Sequence, residues 1–226
     1  MARALPDGRR VAPSILSADF SRLGDQIREV LDAGARVIHF DVMDGHFVPP
    51  ITIGPLVLES IAGLVHDAGA WLDVHLMVER PERQVPDFAR AGADSINVHF
   101  EATPHVHYAL KSVREQGCLA GLAINPATPA EAVTAAVDEL DILLCMTVNP
   151  GWGGQAFIES STAKVARLRE LLPERVCIAV DGGVDTDTVG RLAEAGASLF
   201  VAGSAVFGSP DPADSYRRIA DAAGAA

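Results

Sequence analysis

The stretch LDAGARVIHFDVM, residues 31–43, carries the pattern that decides the fold. Its first residues are typical of the end of a helix, Ala-Gly-Ala follows, and the apolar remainder is typical of a strand. The same order recurs in HDAGAWLDVHLM, ARAGADSINVHFE and AEAGASLFVAGS. Glycine suits this position because it readily adopts the positive φ with which a chain leaves a helix. We therefore predict helix ends with positive φ at Gly34, Gly69, Gly92 and Gly196.

Eight strands follow one another at a regular spacing along the chain. We predict that they begin near residues 11, 37, 71, 95, 119, 141, 176 and 199, with helices between them that include 21–33, 81–90, 128–137 and 161–172. Such alternation favours parallel strands with right-handed crossovers. In 226 residues it predicts a TIM barrel, an eight-stranded parallel (β/α)8 fold, with an open doubly wound sheet as the alternative. No linker interrupts the pattern, so we predict one domain, residues 1–226.

The composition narrows the cellular setting and the class of partner. The chain is 49% hydrophobic and 21% charged, which is typical of a globular protein. Its net charge of −12 opposes binding to nucleic acid and to anionic membranes. The start MARALPDGRR lacks the apolar core of a signal peptide, and no apolar run is long enough to span a membrane. We therefore expect a cytoplasmic protein.

Polar side chains interrupt three of the predicted strands on one face. His39 and Asp41 alternate with apolar residues of the second strand, His75 does so in the third, and Asp181 ends the seventh. In a barrel the apolar set packs against the helices, so these four side chains point inward. Functional groups of such barrels lie at the carboxyl ends of the strands. Two imidazoles and two carboxylates are therefore predicted to meet at one mouth.

A divalent metal is the simplest reason for this cluster. Two buried carboxylates repel each other unless a positive charge lies between them, and no lysine or arginine occurs at these strand ends. Imidazoles and carboxylates are usual ligands of Zn, Fe, Mn and Co, among which the sequence does not choose. The alternative is that each side chain is a separate hydrogen-bonded structural residue. Asp73, one layer deeper, and the pair His99 and Glu101 could support the ligands from behind.

Glycine-rich segments follow the sixth, seventh and eighth strands. They are NPGWGGQAF at 149–157, DGGV at 181–184 and AGSAVF at 202–207. Loops after the last strands of these barrels often bind phosphate, because glycines let the backbone N–H groups approach an anion. Such a site would let an acidic chain hold a phosphorylated substrate. No G-K-[ST] motif indicates a nucleotide P-loop.

Other residues of the predicted mouth allow two interpretations each. Met43, Met77 and Met146 all fall at strand ends, where they would form an apolar cover over the reaction centre or simply fill the core. Ser14 would donate to a substrate oxygen or be satisfied by the backbone. The segment 46–50 is suited to a lid.

The motifs PSILSADF, HFDVMDGHFVP, DVHLMV, NPGWGGQAF, DGGV and VAGSAVF resemble those of the ribulose-phosphate 3-epimerases, from about residue 11 to 208. The resemblance implies a (β/α)8 barrel of the pentose phosphate pathway that interconverts D-ribulose 5-phosphate and D-xylulose 5-phosphate at C3 with one divalent metal. It implies metal ligation by His39, Asp41, His75 and Asp181, with Asp41 and Asp181 as the acid/base pair. The substrate contacts that it implies are Ser14, His75, Gly151, Trp152, Gly153, Gly154, Asp181, Gly182, Gly183, Gly203 and Ser204.

The implied chemistry fits the predicted geometry. Epimerisation beside a ketone removes a proton from one face of a carbon and returns one to the other, so carboxylates on opposite sides can serve as base and acid. The metal would stabilise the negative charge of a cis-enediolate.

Two departures from the family leave the sugar phosphate less defined, because Trp152 stands where Phe is usual and Pro50 where Asn is common. The alternatives are an epimerase of six-carbon ketose phosphates, a metal-dependent hydrolase and a non-catalytic phosphate-binding module. A homo-oligomer is expected, of a size that the sequence does not define.

Overall fold

The computed structural model describes residue 5 and residues 8–225, and its centre is one parallel sheet of eight strands. In chain order the strands are β1 Arg10–Pro13, β2 Val37–Met43, β3 Trp71–Met77, β4 Ser95–His99, β5 Leu119–Ile124, β6 Ile142–Met146, β7 Cys177–Asp181 and β8 Leu199–Ala202. Neighbours along the sheet follow the order β1-β8-β7-β6-β5-β4-β3-β2. A parallel bridge between Ser14 and His39 joins its two edges. The sheet is thus a nearly closed TIM barrel, which confirms the predicted fold over the open sheet.

Helices follow the strands around the outside of the barrel. The α-helices are α1 Leu23–Asp32, α2 Pro55–Asp67, α3 Val85–Arg90, α4 Val106–Glu115, α5 Ser161–Leu171, α6 Val189–Glu194, α7 Ser204–Phe207 and α8 Pro212–Ala223. A 3₁₀ helix, Ala130–Glu139, connects β5 and β6. No helix in the described part of the chain is long and apolar enough to cross a membrane.

One predicted helix is interrupted. The expected helix 81–90 is a 3₁₀ turn, Pro81–Arg83, followed by α3. Pro86 lies at the start of α3 and has no N–H to donate to the carbonyl four residues earlier, so a continuous α-helix cannot run through this position.

The four Ala-Gly-Ala turns share one geometry. The φ angles of Gly34, Gly69, Gly92 and Gly196 are 113°, 73°, 109° and 107°, which confirms the prediction. In each turn the alanine after the glycine donates its N–H to a carbonyl five residues earlier, at 2.9 to 3.1 Å. These bonds satisfy carbonyls that have no donor within the helix, and they direct the chain into the next strand. The tripeptide therefore forms the turn between helix and strand.

The interior of the barrel is layered. At the amino ends of the strands, Val37, Trp71, Ile142 and Leu199 form an apolar plug. Above it the β2–β3 register places His39 beside Asp73 and Asp41 beside His75. The plug separates these buried polar pairs from solvent at the amino ends of the strands.

Two glycines provide a matched test of this packing. A Cβ at Gly121 of β5 would lie 1.9 Å from Asn97 Oδ1, whereas a Cβ at Gly63 of α2 would meet nothing within 4 Å. Gly121→Ala should therefore destabilise the protein by about 2 kcal/mol or more, and Gly63→Ala should stabilise it by about 0.5–1 kcal/mol. Urea denaturation measures both free energies of unfolding. Equal stabilities of the two variants would contradict the close contact between β4 and β5.

Candidate active site

Four side chains from three strands converge at the mouth of the barrel. Each of His39, Asp41, His75 and Asp181 offers a ligand atom, and these atoms lie within 4.8 Å of one another. Both imidazoles and the Asp41 side chain are buried, while the Asp181 side chain is 17% exposed. The structure thus brings together the cluster that the sequence predicted.

His39 presents one nitrogen to the cluster because its other nitrogen is held from behind. Its Nδ1 lies 2.8 Å from Asp73 Oδ2. The other Asp73 oxygen accepts hydrogen bonds from Ser95 Oγ at 2.5 Å and Asn97 Nδ2 at 2.8 Å. Asp73 therefore accepts a hydrogen bond from His39 Nδ1–H, so neutral His39 has its lone pair on Nε2. That Nε2 atom is buried and has no hydrogen-bond partner, although Asp41 Oδ1 lies 3.3 Å away.

Asp41 and Asp181 flank His75. Asp41 Oδ1 lies 3.0 Å and Asp181 Oδ2 lies 3.6 Å from His75 Nδ1. The second oxygen of Asp41 accepts a 2.5 Å hydrogen bond from Ser14 Oγ. An orphaned imidazole nitrogen, a second imidazole and two carboxylates in one small space fit a divalent cation.

The pKa shifts show how the cluster is balanced electrostatically. Burial lowers the pKa of His39, but Asp41 and Asp73 outweigh burial and raise that pKa well above its ordinary value. Burial likewise lowers the pKa of His75, and Asp181 and Asp41 reverse the shift. Burial raises the pKa of Asp41, yet the two imidazoles hold it far below the usual range. Protons on the imidazoles thus counter the carboxylates, and a cation would compete with those protons.

A third imidazole, that of His99, lies behind His75. His75 Nε2 is 2.9 Å from His99 Nε2, and His99 Nδ1 is 3.2 Å from Glu101 Oε2. Burial lowers the pKa of His99 to about 4. Burial opposes ionisation of Glu101, but its hydrogen bonds, led by the one with His99, bring its pKa to about 2. His99 is therefore neutral and Glu101 ionised at neutral pH.

A cavity opens beside the cluster. Its walls include Asp41 and Asp181, the three methionines of the predicted cover, and the predicted substrate contacts other than His75, namely Ser14, Gly151, Trp152, Gly153, Gly154, Gly182, Gly183, Gly203 and Ser204. Met43, Met77 and Met146 are nearly fully buried, whereas Trp152 is 56% exposed. His39 and His75 are fully buried and do not line the cavity, so direct contact of His75 with a substrate remains a prediction.

The end of this cavity where the sequence predicts a phosphate site is built from closely packed glycines. A Cβ at Gly182 would lie 2.3 Å from Val148 Cγ2, and one at Gly203 would lie 2.8 Å from Ser17 Oγ. No lysine or arginine lines the cavity in the described part of the chain. An anion there would accept hydrogen bonds from backbone N–H groups and hydroxyls.

Sequence reasoning missed Ser17 and Asp44. Ser17 is the second serine of PSILSADF and lines the cavity. The Asp44 carboxylate accepts hydrogen bonds from the backbone N–H groups of His46, Phe47 and Glu79, at 2.8, 2.9 and 2.7 Å. It thereby anchors the predicted lid segment, whose Val48 packs against Met43 and Met77. An Asp-Gly pair after a strand was the available signal for such a turn.

Fold and site define a barrel enzyme with carboxylates and imidazoles at its reaction centre. The model of the Ribulose-phosphate 3 epimerase family matches residues 10–207. A ribulose-phosphate 3-epimerase of Bacillus subtilis is 50% identical over 206 residues, covering 89% of this chain and 94% of the relative. One of Escherichia coli K12 is 49% identical over 214 residues, covering 93% and 92%. The chain belongs to the ribulose-phosphate 3-epimerase family.

Solved structures of lower identity share the fold. KGPDC from Streptococcus mutans has a TM-score of 0.73 at 16% identity, covering 96% of this chain and 98% of that chain. A 3-hexulose-6-phosphate synthase has a TM-score of 0.70 at 19% identity, covering 96% and 99%. At these identities the likeness concerns the barrel alone.

The balance of protons in the cluster leads to a prediction for metal binding. Because the pKa values of His39 and His75 are raised, their protons are lost only at higher pH, and we expect zinc affinity to increase about tenfold or more from pH 6 to pH 8. Chelator competition measures the affinity. His39→Ala should abolish tight binding, whereas His107→Ala, which alters an exposed imidazole, should not. Equal affinities of the two variants would exclude His39 as a ligand.

Proposed function

We propose that the chain is a metal-dependent epimerase that interconverts D-ribulose 5-phosphate and D-xylulose 5-phosphate at C3. The observation that carries the proposal is the placement of Asp41 and Asp181 in the walls of one cavity, on strands that β1 and β8 separate. Glycine loops on the same cavity and the family relationship support a phosphorylated sugar as the substrate. A cytoplasmic location, a homo-oligomer and a role in the pentose phosphate pathway are part of this proposal.

The two carboxylates divide the proton transfers. One takes the C3 proton from one face of the sugar, and the other supplies a proton to the opposite face. Ser14 donates to Asp41 Oδ2 and keeps that oxygen oriented, while Oδ1 faces His75. The lowered pKa of Asp41 favours its ionised form, which suits it to begin as the base. Asp181 is then the protonated partner in that direction, and the roles reverse for the other epimer.

His39, Asp41, His75 and Asp181 would hold one divalent cation, of Zn, Fe, Mn or Co type. When bound, such a cation stabilises the negative charge that develops on the ketone oxygen as the C3 proton leaves. The chain prepares the ligands without it, because Asp73 fixes the tautomer of His39.

The remaining cavity residues bind and shield the substrate. Backbone N–H groups of the glycine loops would hold the phosphate, which needs no cationic side chain. Met43, Met77 and Met146 would cover the enediolate, because their thioethers exclude water and offer no proton.

Proton NMR in D2O tests the reaction and its metal requirement. With D-ribulose 5-phosphate we expect D-xylulose 5-phosphate carrying deuterium at C3, loss of the reaction after chelation and recovery with a divalent metal. A panel that includes six-carbon ketose phosphates fixes the preferred substrate. The proposal fails if the metal-loaded protein produces neither the epimer nor C3 exchange.

Asparagine variants test the two-base assignment. Asp41→Asn and Asp181→Asn should each lower kcat about a thousandfold or more, because each removes one proton-transfer group. Each variant that retains metal should still exchange the C3 proton of the one epimer that its remaining carboxylate deprotonates. Asp187→Asn is a matched control, because Asp187 is exposed and lies six residues beyond Asp181. Exchange of both epimers at equal rates in one variant would rule out two separate bases.

Ser17 provides a test of the phosphate end. Ser17→Ala should raise the KM for D-ribulose 5-phosphate roughly tenfold, because a hydrogen bond to a charged group is lost. The kcat/KM for unphosphorylated D-ribulose should stay unchanged. Ser60→Ala, on the exposed face of α2, is the control. An equal loss with both sugars would place Ser17 at the sugar instead of the phosphate.

A further inference from the structure

A chain of hydrogen bonds leads from the candidate metal site to Glu101. His75 Nε2 and His99 Nε2 are 2.9 Å apart, and His99 Nδ1 and Glu101 Oε2 are 3.2 Å apart. Both imidazoles are fully buried, and the ring of Phe47 packs on His99 with 4.7 Å between ring centres. The proposed reaction gives His99 and Glu101 no role in binding the substrate or moving its protons.

Glu101 is itself firmly held. Its Oε1 accepts a 2.8 Å hydrogen bond from the backbone N–H of Asn125 and another from the hydroxyl of Thr128. Two donors on Oε1 fix which oxygen faces His99. The side chain is 24% exposed, so it lies between the buried imidazoles and the surface.

The order of donors and acceptors along this chain is determined at the carboxylate end. An ionised carboxylate only accepts, so His99 Nδ1 must carry a proton and donate it. The 2.9 Å contact between His75 Nε2 and His99 Nε2 needs one donor and one acceptor. A His75 that ligates a metal through Nδ1 has its proton on Nε2, so His75 donates and His99 accepts. Without a cation, Asp41 Oδ1 at 3.0 Å accepts a hydrogen bond from His75 Nδ1. A metal that displaces this Nδ1 proton would bind the lone pair left there, beside Asp181 Oδ2 at 3.6 Å.

We propose that Glu101 is a positioning residue that sets the tautomer of His75 through His99 and thereby the metal affinity of the site. The inference rests on the proposed metal-dependent function. It assigns the two ligand imidazoles different supports. His39 reaches the carboxylate of Asp73 directly, whereas His75 reaches the carboxylate of Glu101 through a second imidazole.

Glu101→Gln tests the proposal because it keeps the shape and changes one acceptor into a donor. The amide oxygen should take the place of Oε1, where Asn125 and Thr128 donate, which turns the NH2 group toward His99 Nδ1. His99 would then carry its proton on Nε2, and His75 would have to accept there and hold its own proton on Nδ1. That tautomer cannot ligate a metal through Nδ1.

Zinc affinity by chelator competition on the intact protein is the main measurement. We expect Glu101→Gln to weaken zinc binding about 10- to 100-fold, which is the range found for partners of ligating histidines. Glu101→Ala should weaken it less, because His99 is then free to adopt either tautomer. A packing role predicts the reverse order, since Gln fills the space of Glu and Ala does not. Glu139→Gln is the matched control, because Glu139 faces an imidazole at the surface, with His107 Nε2 3.6 Å away.

Nitrogen-15 NMR of labelled histidines gives a second readout independent of turnover. In the zinc-loaded wild type, His75 should carry its proton on Nε2 and His99 on Nδ1. In Glu101→Gln the proton of His99 should move to Nε2. An affinity of Glu101→Gln within twofold of wild type, or an unchanged His99 tautomer, overturns the proposal.

The proposed function and this inference fail in different ways. A wild-type protein that binds no metal refutes the metal-dependent function. The tautomer of His99 in the metal-free wild type and in Glu101→Gln then still decides whether Glu101 sets the proton order. A wild type that binds zinc and a Glu101→Gln variant that binds it equally well refute only the role of Glu101.

Discussion

The burial of two carboxylates inside the barrel is the constraint on which the site depends. Asp41 is 3% exposed and Asp73 is not exposed at all. A buried carboxylate without a partner costs several kcal/mol, so each needs a donor at a fixed distance. The β2–β3 register supplies both donors, because it sets His39 beside Asp73 and Asp41 beside His75. A slip of one residue would turn every one of these side chains to the other face, so packing and electrostatics select the same register.

Most of the fold could be predicted from the sequence because its signals are local. A glycine at a helix end needs only its own backbone freedom, and the φ of 113° at Gly34 expresses this. The details that could not be predicted depend on more than the spacing of apolar residues. Pro86 interrupts the expected helix 81–90 through a missing N–H group. The segment Ala130–Glu139 winds as a 3₁₀ helix, a choice that its apolar spacing does not encode.

The residues of the candidate site also fall into two groups, those that a local sequence pattern predicts and those that it does not. His39, Asp41 and His75 could be predicted because period two in a strand fixes the face on which a side chain lies. Ser17 could not be placed, because its contacts with Gly203 form only when the loops after β1 and β8 meet. The link between His75 and His99 joins atoms of two strands, and no spacing within one strand indicates it. Sequence patterns therefore define which residues point inward, and the closed barrel defines which of them touch.

Strand β7 joins the two halves of the site. Its last residue, Asp181, belongs to the cluster of ligands, and the next two, Gly182 and Gly183, line the end of the cavity where an anion would bind. Both glycines have positive φ, at 114° and 64°, and Thr147 donates its hydroxyl to the carbonyls of Asp181 and Gly182. The distance between the Asp181 carboxylate and the end of the cavity where an anion would bind is thus fixed by the short segment 181–183 and by the Thr147 side chain. A cavity with this fixed span would select a ligand by the separation of its anionic group from the atom that faces the carboxylates.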